Sequence, residues 1–470
     1  MKAARIISIA LTFFIWPLYL SSQSNNTGSG ISRDFNKKAI QYLDQRVALN
    51  KFSGVVLVAV DGKPILTKAY GMANHDYGFP NSPETKFRIG SAGKQFAASA
   101  ILLLEQRGQL KITDSVSKYL PDWPRAWSEI TIHHLLSHTS GLPVLSGTAP
   151  FTDVSNLVKG FYNPSFYKGV KDLYKPGEEL KPPDFKPGDG FAYSNFGFII
   201  LGFIVEKVSG QPFCDFLQKE FFIPLNMKST ACENLDLVVK QRANGYILRN
   251  DSIFNSGFVD LRFESAAGGE YSSAGDLLQW SNSLDANKIL SSEQTRKLFN
   301  PNKANYGYGW WIESRFNQPV QWHRGTVSGF AAIMVRYPQK KLFITVLSNI
   351  QRAQVKAIST ELAAIAFNEY YEMPRNRKEI NVDSVFLDEY TGTYYKESDI
   401  SDSHALKRKE GSITMEIPPG TPQFKIYPEA KDKFFATWGE FYLHFEREKG
   451  KVVGVVIARE GDRVRYTRKN

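Results

Sequence analysis

Residues 95–106 make a nearly continuous apolar run, with Phe96, Ala97, Ala100, Ile101, Leu102 and Leu104, and Gly108 follows as a C-terminal cap. A helix that apolar has to be buried, so the rest of the chain must be built around it. A second apolar segment spans 196–208 and ends at Gly210 and Pro212. Other elements supply the shell. Residues 34–50 suit an amphipathic helix, and 52–60 and 65–70 read as strands joined by Asp61-Gly62, a hairpin signal. Runs at 331–337 and 342–348 read as adjacent strands, and 360–371 as a closing helix. Strands at both ends with helices between them predict an α+β domain whose antiparallel sheet joins the chain ends.

A different pattern begins near residue 380. The segment 374–379 is proline-led and charged, without apolar period, and reads as a linker. Beyond it, Ile413/Met415/Ile417, Phe441/Leu443/Phe445 and Val464/Tyr466 alternate, and turns fall at Pro418-Pro419-Gly420, Lys449-Gly450 and Gly461-Asp462. Short alternating strands with regular turns predict a small antiparallel β-barrel over 381–470, after a larger domain over 33–373. With 470 residues, 42% of them hydrophobic and 22% charged, the chain is neither disordered nor collagen-like. Its two cysteines exclude a four-cysteine zinc site; Cys214 and Cys232 either pair or stay free thiols.

The first residues read as an address. Lys2 and Arg5 precede an apolar run at 6–20 and the small residues Ser21-Ser22, the layout of a signal peptide over 1–24. The alternative is an uncleaved anchor, although Pro17 interrupts a run shorter than the ~20 residues a spanning helix needs. A Gly/Ser/Asn-rich spacer follows at 25–32. The expectation is export to a periplasmic or extracellular compartment, with no transmembrane span after cleavage.

Chemistry concentrates in three motifs. Ser91-Ala92-Gly93-Lys94 opens the buried helix, and a spacing of three puts hydroxyl and ammonium on one face. A lysine whose pKa is brought down from about 10.4 by burial can take the serine proton. Tyr193-Ser194-Asn195 offers a phenol to share that proton and an amide to bind a carbonyl. His323-Arg324-Gly325 enters a strand through Thr326, where glycine lets a substrate reach backbone N–H groups. Taken singly, each has an ordinary structural reading: a capping serine, a packing tyrosine, a core histidine.

Their order resembles the serine hydrolases of the class C β-lactamase and penicillin-binding-protein group, S-x-x-K then Y-x-N then H-x-G. Residues 132–143, 193–230 and 266–273 carry further likeness, so the resemblance covers about 35–370. It implies a β-lactamase/transpeptidase-like fold, with a helical subdomain beside the sheet. It also implies Ser91 as the acylated nucleophile, with Lys94 and Tyr193 as acid/base. Asn195, His323, Gly325 and Thr326 would bind substrate, and the N–H groups of Ser91 and Thr326 would form an oxyanion hole. Two departures bear on substrate. His323 stands where β-lactamases proper usually have Lys, and Pro143 is followed by Val144-Leu145 rather than a substrate-binding Gln. The H-x-G form is typical of esterase-like and D-aminopeptidase-like branches. A small-molecule or short-peptide substrate is therefore expected rather than efficient β-lactam hydrolysis. The tail resembles the lipocalin-like barrel of some of these peptidases, which covers the active-site entrance or helps oligomers assemble. A catalytically idle ligand-binding protein of the envelope is the rival reading.

No cofactor is implied. His133, His134 and His138 lack an accompanying carboxylate or cysteine, so a metal is not expected there. Neither a G-x-S-x-G elbow nor a Walker or dinucleotide glycine loop occurs. Asn25-Asn26-Thr27 and Asn250-Asp251-Ser252 formally match glycosylation acceptors. The net charge of +11 is spread over strands that also carry acids, so it reads as solvated faces and not as a nucleic-acid groove.

Overall fold

The computed structural model describes residues 30–142, 182–249, 252–262, 264–382, 384–437 and 440–468. The expected signal peptide, most of the spacer, Val144-Leu145 and the two glycosylation asparagines lie outside the described residues. Among those described, no single helix is long and apolar enough to cross a membrane.

A six-stranded antiparallel sheet organises the larger unit. Its strands are β1 (Gly54–Val60), β2 (Lys63–Tyr70), β3 (Trp311–Arg315), β4 (Gln318–Val327), β5 (Phe330–Tyr337) and β6 (Leu342–Ser348), in the order β3-β4-β5-β6-β1-β2. The two chain ends meet where β1 pairs with β6, in the register Val56↔Val346 and Val58↔Ile344. At the β1–β2 turn Asp61 and Gly62 have φ of 49° and 72°, the left-handed pair a tight hairpin requires.

Antiparallel sheets commonly leave one face wet, but here both are covered, which is why β1 is apolar at nearly every position. Val55, Leu57 and Ala59 join one core with α2 (Lys94–Gln106) and α3 (Asn195–Ser209). Val56, Val58 and Val60 join the other with α1 (Phe35–Ala48) and α5 (Val355–Phe367). From Lys94 to Leu104 every residue of α2 is buried, as its composition demands. Its flank is anchored where Trp280 Nε1 of α4 (Ala274–Asp285) donates to Gln95 Oε1 at 2.6 Å. The closing helix runs earlier than the predicted 360–371, because Asn368 turns left-handed (φ 58°) and stops it.

The C-terminal strands β7 (Gly392–Lys396), β8 (Asp399–Lys409), β9 (Ser412–Glu416), β10 (Phe424–Ala430), β11 (Lys433–Phe435), β12 (Phe441–Glu448), β13 (Lys451–Arg459) and β14 (Asp462–Arg468) form a closed barrel. Closure comes from β7 pairing with β14, Tyr395 opposite Thr467. Tyr394, Leu406, Met415, Leu443, Val455 and Tyr466 pack its centre.

Charged contacts tie barrel to sheet. Arg46 of α1, 1% exposed, donates from Nη2 to Glu440 Oε2 at 2.6 Å and to the Tyr42 hydroxyl at 2.7 Å. Arg463 reaches Glu361 of α5 at 2.7 Å, and Arg324 of β4 reaches Glu460 at 2.8 Å. The connecting segment is pinned as well. Arg377 pairs with Glu372 at 2.6 Å and also with Glu429, and its guanidinium stacks on the Tyr442 ring.

Candidate active site

Ser91 sits on a single 3₁₀ turn, Gly90–Gly93, that runs directly into α2 at Lys94. Two glycines make the turn fit. A Cβ on Gly325 of β4 would lie 1.8 Å from the Ile89 carbonyl, and one on Gly93 would lie 1.9 Å from Glu270 Oε2. Only a residue without a side chain lets β4 approach the serine turn this closely. β3 pairs with β4 no further along than Trp322, so among the described residues the 323–327 edge of β4 meets the serine turn instead. Thr326 is exposed near the end of that edge, opposite Ala331.

Lys94 is fully buried, and its Nζ donates to Ser91 Oγ at 3.0 Å, Asn195 Oδ1 at 2.8 Å and the Ala267 carbonyl at 2.5 Å. Burial disfavours the ammonium and brings its pKa down to about 7, against the opposing pull of Glu264 and Glu270. The Tyr193 ring centroid lies 5.1 Å from Nζ. Burial drives the Tyr193 phenol well up, eased by Ser91 and by the Arg324 charge, so it is a neutral proton donor. Local structure holds this motif in place. Ser194 caps α3 by accepting from Gly197 N at 3.1 Å, while its own N–H donates to His138 Nδ1 at 3.0 Å.

His323 is 2% exposed and both its ring nitrogens are engaged. Nδ1 lies 2.7 Å from the Arg324 carbonyl, which can only accept, so Nδ1 carries the hydrogen and Nε2 accepts from the Tyr306 hydroxyl at 3.0 Å. Burial, reinforced by Lys94, holds His323 down to about 3 and therefore neutral. A charged imidazole facing a substrate carboxylate is not what this ring presents.

The three motifs thus converge on Lys94 and the Ser91 turn. Sequence patterns did not single out the Ala267 carbonyl, His138, Tyr306, Glu264 or Glu270 as parts of this site. Their neighbours are distant in the chain, and the one signal was Glu270, directly after the apolar stretch Ala266-Ala267-Gly268-Gly269. The remaining histidines have separate structural partners: His133 Nδ1 lies 2.7 Å from the Tyr308 hydroxyl, and His134 Nδ1 accepts from Thr131 N at 3.2 Å. Cys214 and Cys232, left open by the sequence, form a disulfide with a Cα–Cα distance of 5.8 Å. A cavity of about 520 Å³ lies beside that disulfide, lined by Phe203, Glu206 and Tyr271 among others, but none of the motif residues opens into it.

Residues 39–367 match the family model described as Beta-lactamase, a span that takes in all three motifs. The chain belongs to the beta-lactamase family. Among curated relatives, Penicillin-binding protein 4* of Bacillus subtilis (strain 168) is 26% identical over 413 residues, covering 82% of this chain and 88% of that protein. Among solved structures, the octameric penicillin-binding protein homologue from Pyrococcus abyssi superposes with a TM-score of 0.64 at 23% identity, covering 92% of this chain and 99% of that one. The D-amino acid amidase of Ochrobactrum anthropi SV3 superposes with a TM-score of 0.56 at 23% identity, over 67% and 92% of the two chains. At these identities the two structures carry the fold alone. The P. abyssi match covers nearly the whole chain, so the likeness in fold reaches beyond the span of the family model.

Proposed function

We propose that the chain is an exported serine hydrolase that cleaves an ester or amide bond through an acyl-enzyme on Ser91. The observation that carries this reading is the 3.0 Å contact between Ser91 Oγ and the fully buried Nζ of Lys94. Neutral Lys94 takes the hydroxyl proton as Oγ bonds to the substrate carbonyl carbon. The carbonyl oxygen becomes an oxyanion, which the N–H groups of Ser91 and Thr326 hold. Collapse breaks the bond to the leaving group, which receives the proton by way of Tyr193. Water then loses a proton to the same Lys94–Tyr193 pair and attacks the acyl carbon, and Ser91 recovers its hydrogen.

The substrate reading is a short or D-amino-acid peptide, its amide, or a simple ester, rather than a β-lactam. Neutral His323 offers no fixed cation to a β-lactam carboxylate, and the neighbouring Arg324 is paired with Glu460. The activity named for the O. anthropi neighbour, a D-amino acid amidase, fits an amide substrate. His323 then serves to hold Tyr306 beside Tyr193, while Asn195 orients Lys94 and substrate. Export is supported by the basic and apolar layout of 1–24 and by the Cys214–Cys232 disulfide, which persists in oxidising compartments. Self-association through the barrel is supported by the octameric state named for the P. abyssi homologue.

A panel of chromogenic ester, D-aminoacyl anilide and cephalosporin substrates tests the reading. Turnover of an ester or anilide that vanishes in Ser91→Ala supports it. Turnover of none, with Ser91 still reactive, favours an idle binding protein.

A further inference from the structure

We propose that Glu270 is a positioning residue for acylation, a buried carboxyl that decides whether Lys94 carries a proton when Ser91 is to be activated. This rests on reading Ser91 and Lys94 as nucleophile and base.

The difficulty begins at Lys94. Its three acceptors, Ser91 Oγ, Asn195 Oδ1 and the Ala267 carbonyl, match the three hydrogens of an ammonium. In that state no lone pair is left for the serine proton. A base must therefore shed one proton first, and setting the pH of that loss calls for a second titrating group in the same buried space.

Glu270 meets that need. It begins the short strand Glu270–Ser272, is completely buried, and its carbonyl accepts from Ile89 N at 3.0 Å, two residues before the nucleophile. Its carboxyl lies against Gly93, the residue between Ala92 and Lys94, where a Cβ would overlap Oε2. Among the described residues neither carboxyl oxygen has a hydrogen-bond partner on another side chain. A buried carboxylate with no donor beyond its own backbone N–H costs several kcal/mol by order of magnitude, whereas a packed apolar side chain there would cost nothing of the kind.

The other groups acting on Lys94 are poorer proton holders. His138 and His323 are kept neutral by burial, and the Tyr193 phenol is driven up. Glu264, whose charge acts on Lys94 more strongly than that of Glu270, is also raised by burial but keeps part of its surface toward solvent. Burial pushes Glu270 up to about 8 while it brings Lys94 down to about 7, so the two compete for one proton. The exchange is balanced: an ammonium and a carboxylate become an amine and a carboxylic acid, with no change in net charge.

The test follows the rate at which a fluorophosphonate serine probe labels Ser91 as a function of pH, in wild type, Glu270→Gln, Glu270→Met and Glu264→Gln, with thermal melting of each. Both Glu270 variants are expected to move the acid limb down by about one pH unit and to turn a two-step rise into a single-proton one. Glu264→Gln also moves the limb down, because its charge acts on Lys94, but keeps the two-step shape. Folded Glu270 variants whose profiles superimpose on wild type overturn the proposal while leaving the serine hydrolase reading intact. Absence of Ser91 labelling in wild type removes both. If the Glu270 variants do not fold, infrared titration of Glu264→Gln with and without Lys94→Met decides. A buried carboxyl still protonated near neutral pH, whose titration moves up in Lys94→Met, supports the proposal, and no such group overturns it.

Discussion

Asn195 Oδ1 accepts from Lys94 Nζ at 2.8 Å, so the first residue of α3 is bonded to the first residue of α2. Two buried helices therefore bring their N-termini to one ammonium. The amide dipoles there favour negative charge, which adds to burial in making the neutral amine accessible.

A pH dependence follows from that arrangement. Because Lys94 is brought down to about 7, labelling of Ser91 should be slow in acid, rise through neutral pH and level off above it. An unperturbed lysine would place that rise near pH ~10. Asn195→Asp sets a carboxylate beside the ammonium, favours the charged form, and should shift the rise upward by about one unit or more. Labelling rates measured across pH in both proteins check the sign. An Asn195→Asp profile displaced toward acid would contradict it.

Gly325→Ala should abolish labelling and lower stability. The added Cβ would meet the Ile89 carbonyl at 1.8 Å, so β4 and the serine turn must separate. Overpacking of this kind typically costs about 1–3 kcal/mol. Thermal melting and probe labelling of the variant read the two effects separately.

Glu440→Ala should loosen the barrel from α1. Arg46 is 1% exposed and loses its carboxylate partner, keeping the Tyr42 hydroxyl alone among the described residues. Leaving a buried charge unpaired costs about 3 kcal/mol or more. Calorimetry should show a lower first transition, and limited proteolysis should show earlier cleavage near the 374–379 segment. An unchanged melt would mean that the other pairs between the two units, among them Arg463–Glu361, Arg324–Glu460 and Arg315–Asp462, suffice to hold the barrel.

Reduction of the Cys214–Cys232 bridge should lower stability by about 3 kcal/mol, the scale for a closed loop near 18 residues. The check is a melting curve with and without reductant, compared with Cys214→Ser/Cys232→Ser. Equal melting of all samples would show that the loop is held by packing.

Local patterns in the sequence foretold local structure. The apolar run at 95–106 could only be a buried helix, Asp61-Gly62 could only turn tightly, and the three-residue spacing of Ser91 and Lys94 put them on one face. Alternation at 413–417, 441–445 and 464–466 foretold barrel strands, though the first ends at Glu416, short of Ile417, and the closure of β7 onto β14 was not foretold. What escaped depends on contacts between distant segments. The neutral state of His323 depends on its burial and on Lys94, and the seat of Lys94 depends on the Ala267 carbonyl, 173 residues away. Segment 374–379 looked like a free linker because its charges show no apolar period, yet Arg377 finds Glu372, Glu429 and the Tyr442 ring only once the barrel is folded.

The central claim is that Ser91 is the nucleophile. Intact-mass analysis and peptide mapping of the full chain after reaction with a fluorophosphonate probe address it most directly. The account predicts one adduct per chain, on the peptide containing Ser91, and none in Ser91→Ala. An adduct that persists in Ser91→Ala, or that maps to another residue, would contradict it.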